Sequence, residues 1–123
     1  MKHLRTFENM GFLNYEQKVI DCGFYIQSQI PSEDFFDWEY TEINEEDLSV
    51  DLEFYYNNDV DDSIIEKAYE FFDEYDLEYS FNYGLHSLAP EYTKKQEIIL
   101  VHIPEEIIIK FSEIFNTLKK YNL

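Results

Sequence analysis

The chain has 123 residues, 45% of them apolar, and a formal charge of −18 set by 27 acidic and nine basic side chains. That length suits one domain over residues 1–123, and a chain of this size hides about two thirds of the surface its unfolded form exposes. A single cysteine excludes an internal disulfide. No apolar run approaches the ~18 residues that cross a bilayer, and residues 1–10 lack the apolar segment of a secretory signal, so the expected location is cytoplasmic, with membranes and nucleic acid repelled rather than bound.

The first thirty residues carry two competing patterns. Tyr15, Val19, Cys22 and Ile26 recur at helical spacing, whereas Phe24, Ile26, Ser28 and Ile30 alternate as in a strand, and Gly23 stands where one could pass into the other. From there the charge changes. Between Glu33 and Glu78 lie nineteen carboxylates and one base, Lys67, so this window alone carries −18, while the eight remaining carboxylates are matched by eight bases. A net charge of about 2 to 8 already keeps a small domain in solution, and more adds self-repulsion. Disordered acidic segments are poor in aromatics, yet this window also holds Phe35, Phe36, Trp38, Tyr40, Phe54, Tyr55, Tyr56, Tyr69, Phe71, Phe72 and Tyr75. Residues 33–78 therefore read as a folded acidic recognition surface.

Within it, Phe36, Trp38 and Tyr40 alternate with Asp37, Glu39 and Thr41, and Val50, Leu52 and Phe54 alternate with Asp51 and Glu53. These are two strands, and the polar link 44–47 makes an antiparallel hairpin the economical pairing. With Ile43 facing Ser49, Glu39 falls opposite Glu53 and Asp37 opposite Tyr55. Like charges set face to face destabilise a sheet by about 0.2 to 1 kcal/mol a pair, so folding alone offers no reason to keep them. Ser63-Ile64-Ile65-Glu66 has the capping-box pattern, and Ile64, Ala68, Phe71, Phe72 and Tyr75 follow at helical spacing, predicting a helix over 62–75 whose other side carries Glu66, Glu70, Asp73 and Glu74. Leu77, Tyr79, Phe81 and Tyr83 then alternate with polar residues as a half-buried strand ending at Gly84. The run 97–103 is apolar on both parities and predicts a central strand buried, or nearly so, on both faces. Pro104, Glu105 and Glu106 open a last helix with Ile107, Phe111, Ile114, Phe115, Leu118 and Tyr121 on its apolar face and Lys119 and Lys120 at its negative end. The expected fold is α+β: a two-layer sandwich with a mainly antiparallel sheet of four to five strands and two helices on one face.

Chemistry finds little purchase. His3, His86 and His102 lack metal-ligand partners at helical spacing, the glycines Gly11, Gly23 and Gly84 are too far apart to cradle a phosphate, and Cys22 reads as a buried, inert thiol. A carboxylate-based nuclease would need positive charge beside the scissile phosphate, and the acidic window offers only Lys67. Asp59, Asp61, Ser63 and Glu70 match four positions of a calcium loop, but Ile64 stands where that loop needs glycine, so a turn and helix cap is the simpler reading and a metal-binding protein or metal-dependent enzyme at Asp59–Glu70 the alternative. No catalytic residue, metal ligand or cofactor is assigned, and the chain is read as a non-enzyme.

The surface remains. Carboxylates Asp37, Glu39, Asp51 and Glu53 on a strand face, spaced by about 6.6 Å along each strand, together with Glu66, Glu70, Asp73 and Glu74, would imitate a phosphate backbone and occupy a nucleic-acid-binding groove. Tyr55, Tyr56 and Tyr69 are the candidate exposed anchors. The plain alternative is an acidic surface with no recognition role. In composition and size the chain resembles the small acidic phage-encoded inhibitors of host defence, the anti-CRISPR and DNA-mimic anti-restriction class, and its start, Met1-Lys2-His3-Leu4-Arg5-Thr6-Phe7-Glu8, is similar to that of many small phage reading frames. The resemblance implies a stoichiometric, non-enzymatic inhibitor whose partner is a basic nucleic-acid-binding protein such as a CRISPR effector or restriction enzyme. An immunity protein neutralising a basic toxin nuclease would use the same physics.

Overall fold

A computed structural model describes residues 5–32, 35–57, 60–84 and 96–121. It is an α+β fold whose elements run α1 (Arg5–Gln29), β1 (Phe35–Tyr40), β2 (Val50–Tyr56), α2 (Asp62–Glu74), β3 (Glu78–Gly84), β4 (Gln96–Ile103) and α3 (Glu105–Tyr121). The strands form one antiparallel sheet in the order β1-β2-β4-β3. Three helices, rather than two, cover one of its faces. The additional one is α1, where the helical pattern prevails: Tyr15, Val19, Cys22 and Ile26 are all buried, and Gly23 lies inside the helix instead of breaking it. Its place there is steric, because a Cβ at Gly23 would fall on the indole of Trp38. Pro31, two residues past the end, forbids continuation. No helix among the described residues is long and apolar enough to cross a membrane.

The β1–β2 hairpin has the register that the alternation predicts, with Glu39 opposite Glu53 and Asp37 opposite Tyr55. A bulge between Phe35 and Asp37 turns Phe35 to the core, where its ring lies 5.5 Å from Tyr56. The loop before β2 is built on side-chain acceptors: Asn44 Oδ1 takes the amides of Glu46 and Asp47, and Asp47 Oδ1 takes the Ser49 amide and hydroxyl. Those Ser49 bonds hold the exposed Asp47 carboxyl below its usual range. Leu48 adopts a left-handed φ of 59°, uncommon for its type, and the Tyr15 hydroxyl donates to its carbonyl at 2.5 Å.

Helix α2 starts on Asp61, two residues before the Ser63 of the capping-box pattern. Asp61 is extended, and its carboxylate accepts from the Ser63 amide at 2.9 Å, which lowers its pKa. The helix ends in a Schellman turn, with Asp76 at φ 56° and the Leu77 amide bonded to the Phe72 carbonyl. Pro104 likewise opens α3 by offering its carbonyl to Ile107 and Ile108.

The core lies between sheet and helices. Leu52, Phe54 and Tyr56 of β2 and Ile99 and Val101 of β4 meet α1 through Val19, Cys22 and Ile26 and α2 through Ile64, Ala68 and Phe72. Phe111 of α3 ties the helical layer together, with ring contacts at 4.9 Å to Tyr25, 5.9 Å to Phe71 and 4.8 Å to Tyr75. Two expectations for the C-terminal half change. Strand β4 is central but not buried on both faces, since Ile98 and Leu100 are half-buried and His102 is exposed. On α3, Leu118 and Tyr121 are exposed rather than packed, and Ile108 takes the core position instead.

Candidate functional site

The sheet face that carries none of the described helices gathers part of the acidic window into rows. Cross-strand register aligns Asp37, Tyr55, Ile98 and Asn82 in one row, Glu39, Glu53, Leu100 and Ser80 in the next, and Asp51, His102 and Glu78 in a third. Adjacent strands lie about 4.8 Å apart and same-face neighbours along a strand about 6.6 Å apart, so Asp37, Glu39, Asp51, Glu53 and Glu78 form a compact two-dimensional array. Period two explains why they share the face: each alternates with a core residue of its own strand.

This array is held by its own polar contacts. The Tyr55 hydroxyl donates to Glu39 Oε1 at 2.6 Å and also to Glu53 Oε2, standing between the two carboxylates that the register sets face to face. Burial, then those two bonds and the charges behind them, push its pKa well above the ordinary tyrosine value. Here is the folding reason that sequence alone did not supply for a like-charge pair. In the third row, His102 Nδ1 lies 2.8 Å from Asp51 Oδ1; a carboxylate only accepts, so Nδ1 carries the hydrogen. His102 is thus a hydrogen-bonded residue on an open face, with its side chain 45% exposed. Asp37 Oδ1 accepts from the Trp38 amide at 2.8 Å, which fixes it beside the bulge.

The remaining candidates lie elsewhere. Tyr56 points into the core, fully buried, and donates to the Pro31 carbonyl at 3.1 Å. Tyr55, though on the open face, is 3% exposed. Tyr69 is half-buried and stacks on Tyr79 with ring centroids 4.5 Å apart. None of the three is an exposed anchor: each spends its ring on packing, and Tyr55 and Tyr56 spend their hydroxyls on internal acceptors. Glu66, Glu70, Asp73 and Glu74 do not join the sheet array. Helix α2 buries Ile64, Ile65, Ala68 and Phe72 against the opposite face of the sheet, so its exposed acidic side looks away from the open strands. Burial, and after it the hydrogen bond that Asp73 accepts, raises the pKa of Tyr79.

The separation was available from the pattern. In a two-layer fold, strand carboxylates face out on one side and the acids of an amphipathic helix face out on the other. His102 also had a signal, because it shares the parity of Ile98 and Leu100, the strand residues that sit opposite the core set.

Of the possible reactive groups, Cys22 is fully buried on α1, and burial, then the charge of Asp21, raises its thiol pKa, so the reactive thiolate is disfavoured. His102 is on the other side of the sheet. His3, His86 and Asp59 lie outside the described residues. In the alternative metal loop Asp61 is engaged as the α2 cap, and among the described residues no three His, Cys, Asp or Glu side chains are grouped to hold a metal ion. No protein-family model, curated protein or solved structure matches this chain.

Proposed function

We propose that the chain is a non-enzymatic acidic inhibitor that docks the open sheet face onto a basic nucleic-acid-binding effector or nuclease and competes for the surface that holds phosphates. One observation carries this reading: Asp37, Glu39, Asp51, Glu53 and Glu78 sit on three aligned rows of a single face, and among the described strand residues of those rows His102 is the one basic side chain. Strands, unlike exposed loops, hold these charges at fixed spacing, so a partner's arginines would meet a preordered array. The half-buried Ile98 and Leu100 beside the carboxylates provide apolar area for a desolvated centre. The acidic side of α2 would add long-range attraction without contact, raising the association rate in low salt.

The test separates the two acidic surfaces. Tagged wild type, Glu39→Lys/Asp51→Lys on the sheet and Glu66→Lys/Glu70→Lys on α2 are compared for capture of a basic nucleic-acid-handling protein from bacterial lysate and for stoichiometric loss of its nucleic-acid binding. The expected outcome is that the sheet variant loses both by at least tenfold, while the α2 variant keeps the complex with slower, less salt-sensitive association. Equal loss in both variants would mean that only net charge matters and would remove the sheet face as the site.

A further inference from the structure

Among the carboxylates of the open face stands one side chain of a type that changes charge near neutral pH. His102 occupies the third row, on the strand that runs between β2 and β3. Its Nδ1–H is donated to Asp51 Oδ1 at 2.8 Å on one side, and Glu78 is its cross-strand neighbour on the other. Among the described residues, the charged groups that face it are all acidic. They are Asp51 and, one row on, Glu53 from β2; Glu78 from β3; and Asp47 from the loop before β2, whose carboxyl is held low first by its bonds to Ser49 and after them by His102. Its same-face neighbour on β4, Leu100, is uncharged, and Glu105 and Glu106 open α3 in the helical layer, across the sheet. The side chains of His102 and Asp51 are 45% and 43% exposed, so a proton reaches the ring freely. A glutamine could donate the same hydrogen bond to Asp51; what the imidazole adds is a charge that depends on pH.

We propose that His102 makes the open face pH-sensitive, holding a basic partner near neutral pH and releasing it on mild acidification. The inference rests on the docking reading above and adds its regulation. An imidazole ordinarily changes charge between about pH 5 and 8, whereas ordinary carboxylates stay ionised down to about pH 4. In the neutral ring Nδ1–H serves Asp51 and Nε2 is an acceptor, so the array meets a partner with its full negative charge. A second proton turns Nε2 into a donor and places a positive charge among the carboxylates. Five of them (Asp37, Glu39, Asp51, Glu53 and Glu78) against one imidazolium take the array from −5 to −4, and the third row, with Asp51 and Glu78, from −2 to −1. An arginine seated over Asp51 then lies beside a like charge. The bond to Asp51 persists in both states, so the charge of the face changes without a change of fold. Linkage fixes the converse: a partner that prefers the neutral ring makes His102 harder to protonate once bound.

Fluorescence anisotropy with labelled nona-arginine, at about pH 7.5 and about pH 5.5 in about 0.1 M salt, tests it. Every chain compared carries Glu66→Lys/Glu70→Lys, which takes the acidic side of α2 out of competition for the peptide, and each is verified as folded by circular dichroism. The chain with His102 is expected to bind about fivefold more weakly at the lower pH, the effect of one unit charge about 4 Å away in water. His102→Gln, which keeps a donor for Asp51, should bind tightly at both pH values, and His102→Lys should bind weakly at both. A pH response that persists in His102→Gln would assign it to the carboxylates, and no response in the chain with His102 would leave the imidazole without control; either result overturns the inference. Adding Glu39→Lys tells its failure from that of the docking reading. Peptide affinity untouched by that change would remove the sheet face as the docking site and the regulation with it, whereas affinity lost to Glu39→Lys but indifferent to pH would remove the regulation alone.

Discussion

Tyr55 turns an electrostatic liability into a structural joint. Its hydroxyl is engaged by Glu39 and Glu53, and hydrogen bonds to charged groups contribute about 1.5 to 3 kcal/mol. Tyr55→Phe is therefore expected to destabilise the fold by about that amount in urea unfolding. The second half of the cycle is more specific. Adding Glu39→Gln to Tyr55→Phe should restore about 0.2 to 1 kcal/mol by removing the unrelieved repulsion, whereas Glu39→Gln in the wild-type background should restore nothing because the hydroxyl loses a charged acceptor. Strictly additive effects would mean the hydroxyl does not mediate between the carboxylates. The facing pair itself was readable from the two-residue period and the hairpin link. The tyrosine's role was not, since Tyr55 and Tyr56 are adjacent and indistinguishable by type; only the parity that puts Tyr55 with Glu53 and Asp51 separates a surface joint from a core residue.

At the level of elements, legibility followed periodicity. Strands β1 to β3 and helix α2 alternate or recur cleanly and stand within a residue or two of their predicted limits. Helix α1 has apolar residues on several sides, and Phe24, Ile26, Ser28 and Ile30 satisfy a spacing of two as well as part of a helical one, so the local pattern could not choose. The choice is made by tertiary contact. Trp38 Nε1 donates to Gln27 at 3.0 Å, the Phe24 ring meets Trp38 edge-on at 5.4 Å, and Tyr40 donates to Glu16 at 2.7 Å. Gly23 lets the backbone approach that indole. In an open helix Gly→Ala would stabilise by about 1 kcal/mol, but here the added methyl collides with a packed ring, and overpacking costs about 1 to 3 kcal/mol. The collision should prevail: Gly23→Ala is expected to lower the unfolding midpoint while the far-ultraviolet helical signal is retained. A raised midpoint would show that Trp38 can move aside at little cost.

Across the whole molecule, the acidic window folds into two surfaces pointing in opposite directions with an aromatic core between them, so the charge density seen by any one partner is lower than the linear sequence suggests. The same core sets the response to base. Burial, and after it the bond to Glu16, raise Tyr40 from 10.0 to about 12, and burial also raises Tyr15, Tyr55 and Tyr56. A tyrosine whose folded pKa lies above its unfolded value contributes stability that is complete below pH ~10 and lost as pH climbs towards the folded value, because the unfolded chain releases its protons first. Urea midpoints should accordingly hold steady up to about pH 10 and fall between 10 and 12, together with a rise in phenolate absorbance; unchanged stability at pH 12 would contradict the burial of these hydroxyls. Strand order has a further consequence. Because β2 neighbours β4, the chain divides between Tyr56 and Asp61 into two stretches, each holding one complete hairpin of the sheet. They meet along the seven residue pairs of the β2–β4 ladder, in the packing of α1 on α3 at Tyr25–Phe111 and Asp21–Asn116, and in the core where Phe72 of α2 packs against Phe54 of β2. A backbone opened at that junction keeps both hairpins whole, which gives this small protein the architecture of a split reporter whose reassembly restores the open acidic face only when the ladder and the core re-form together.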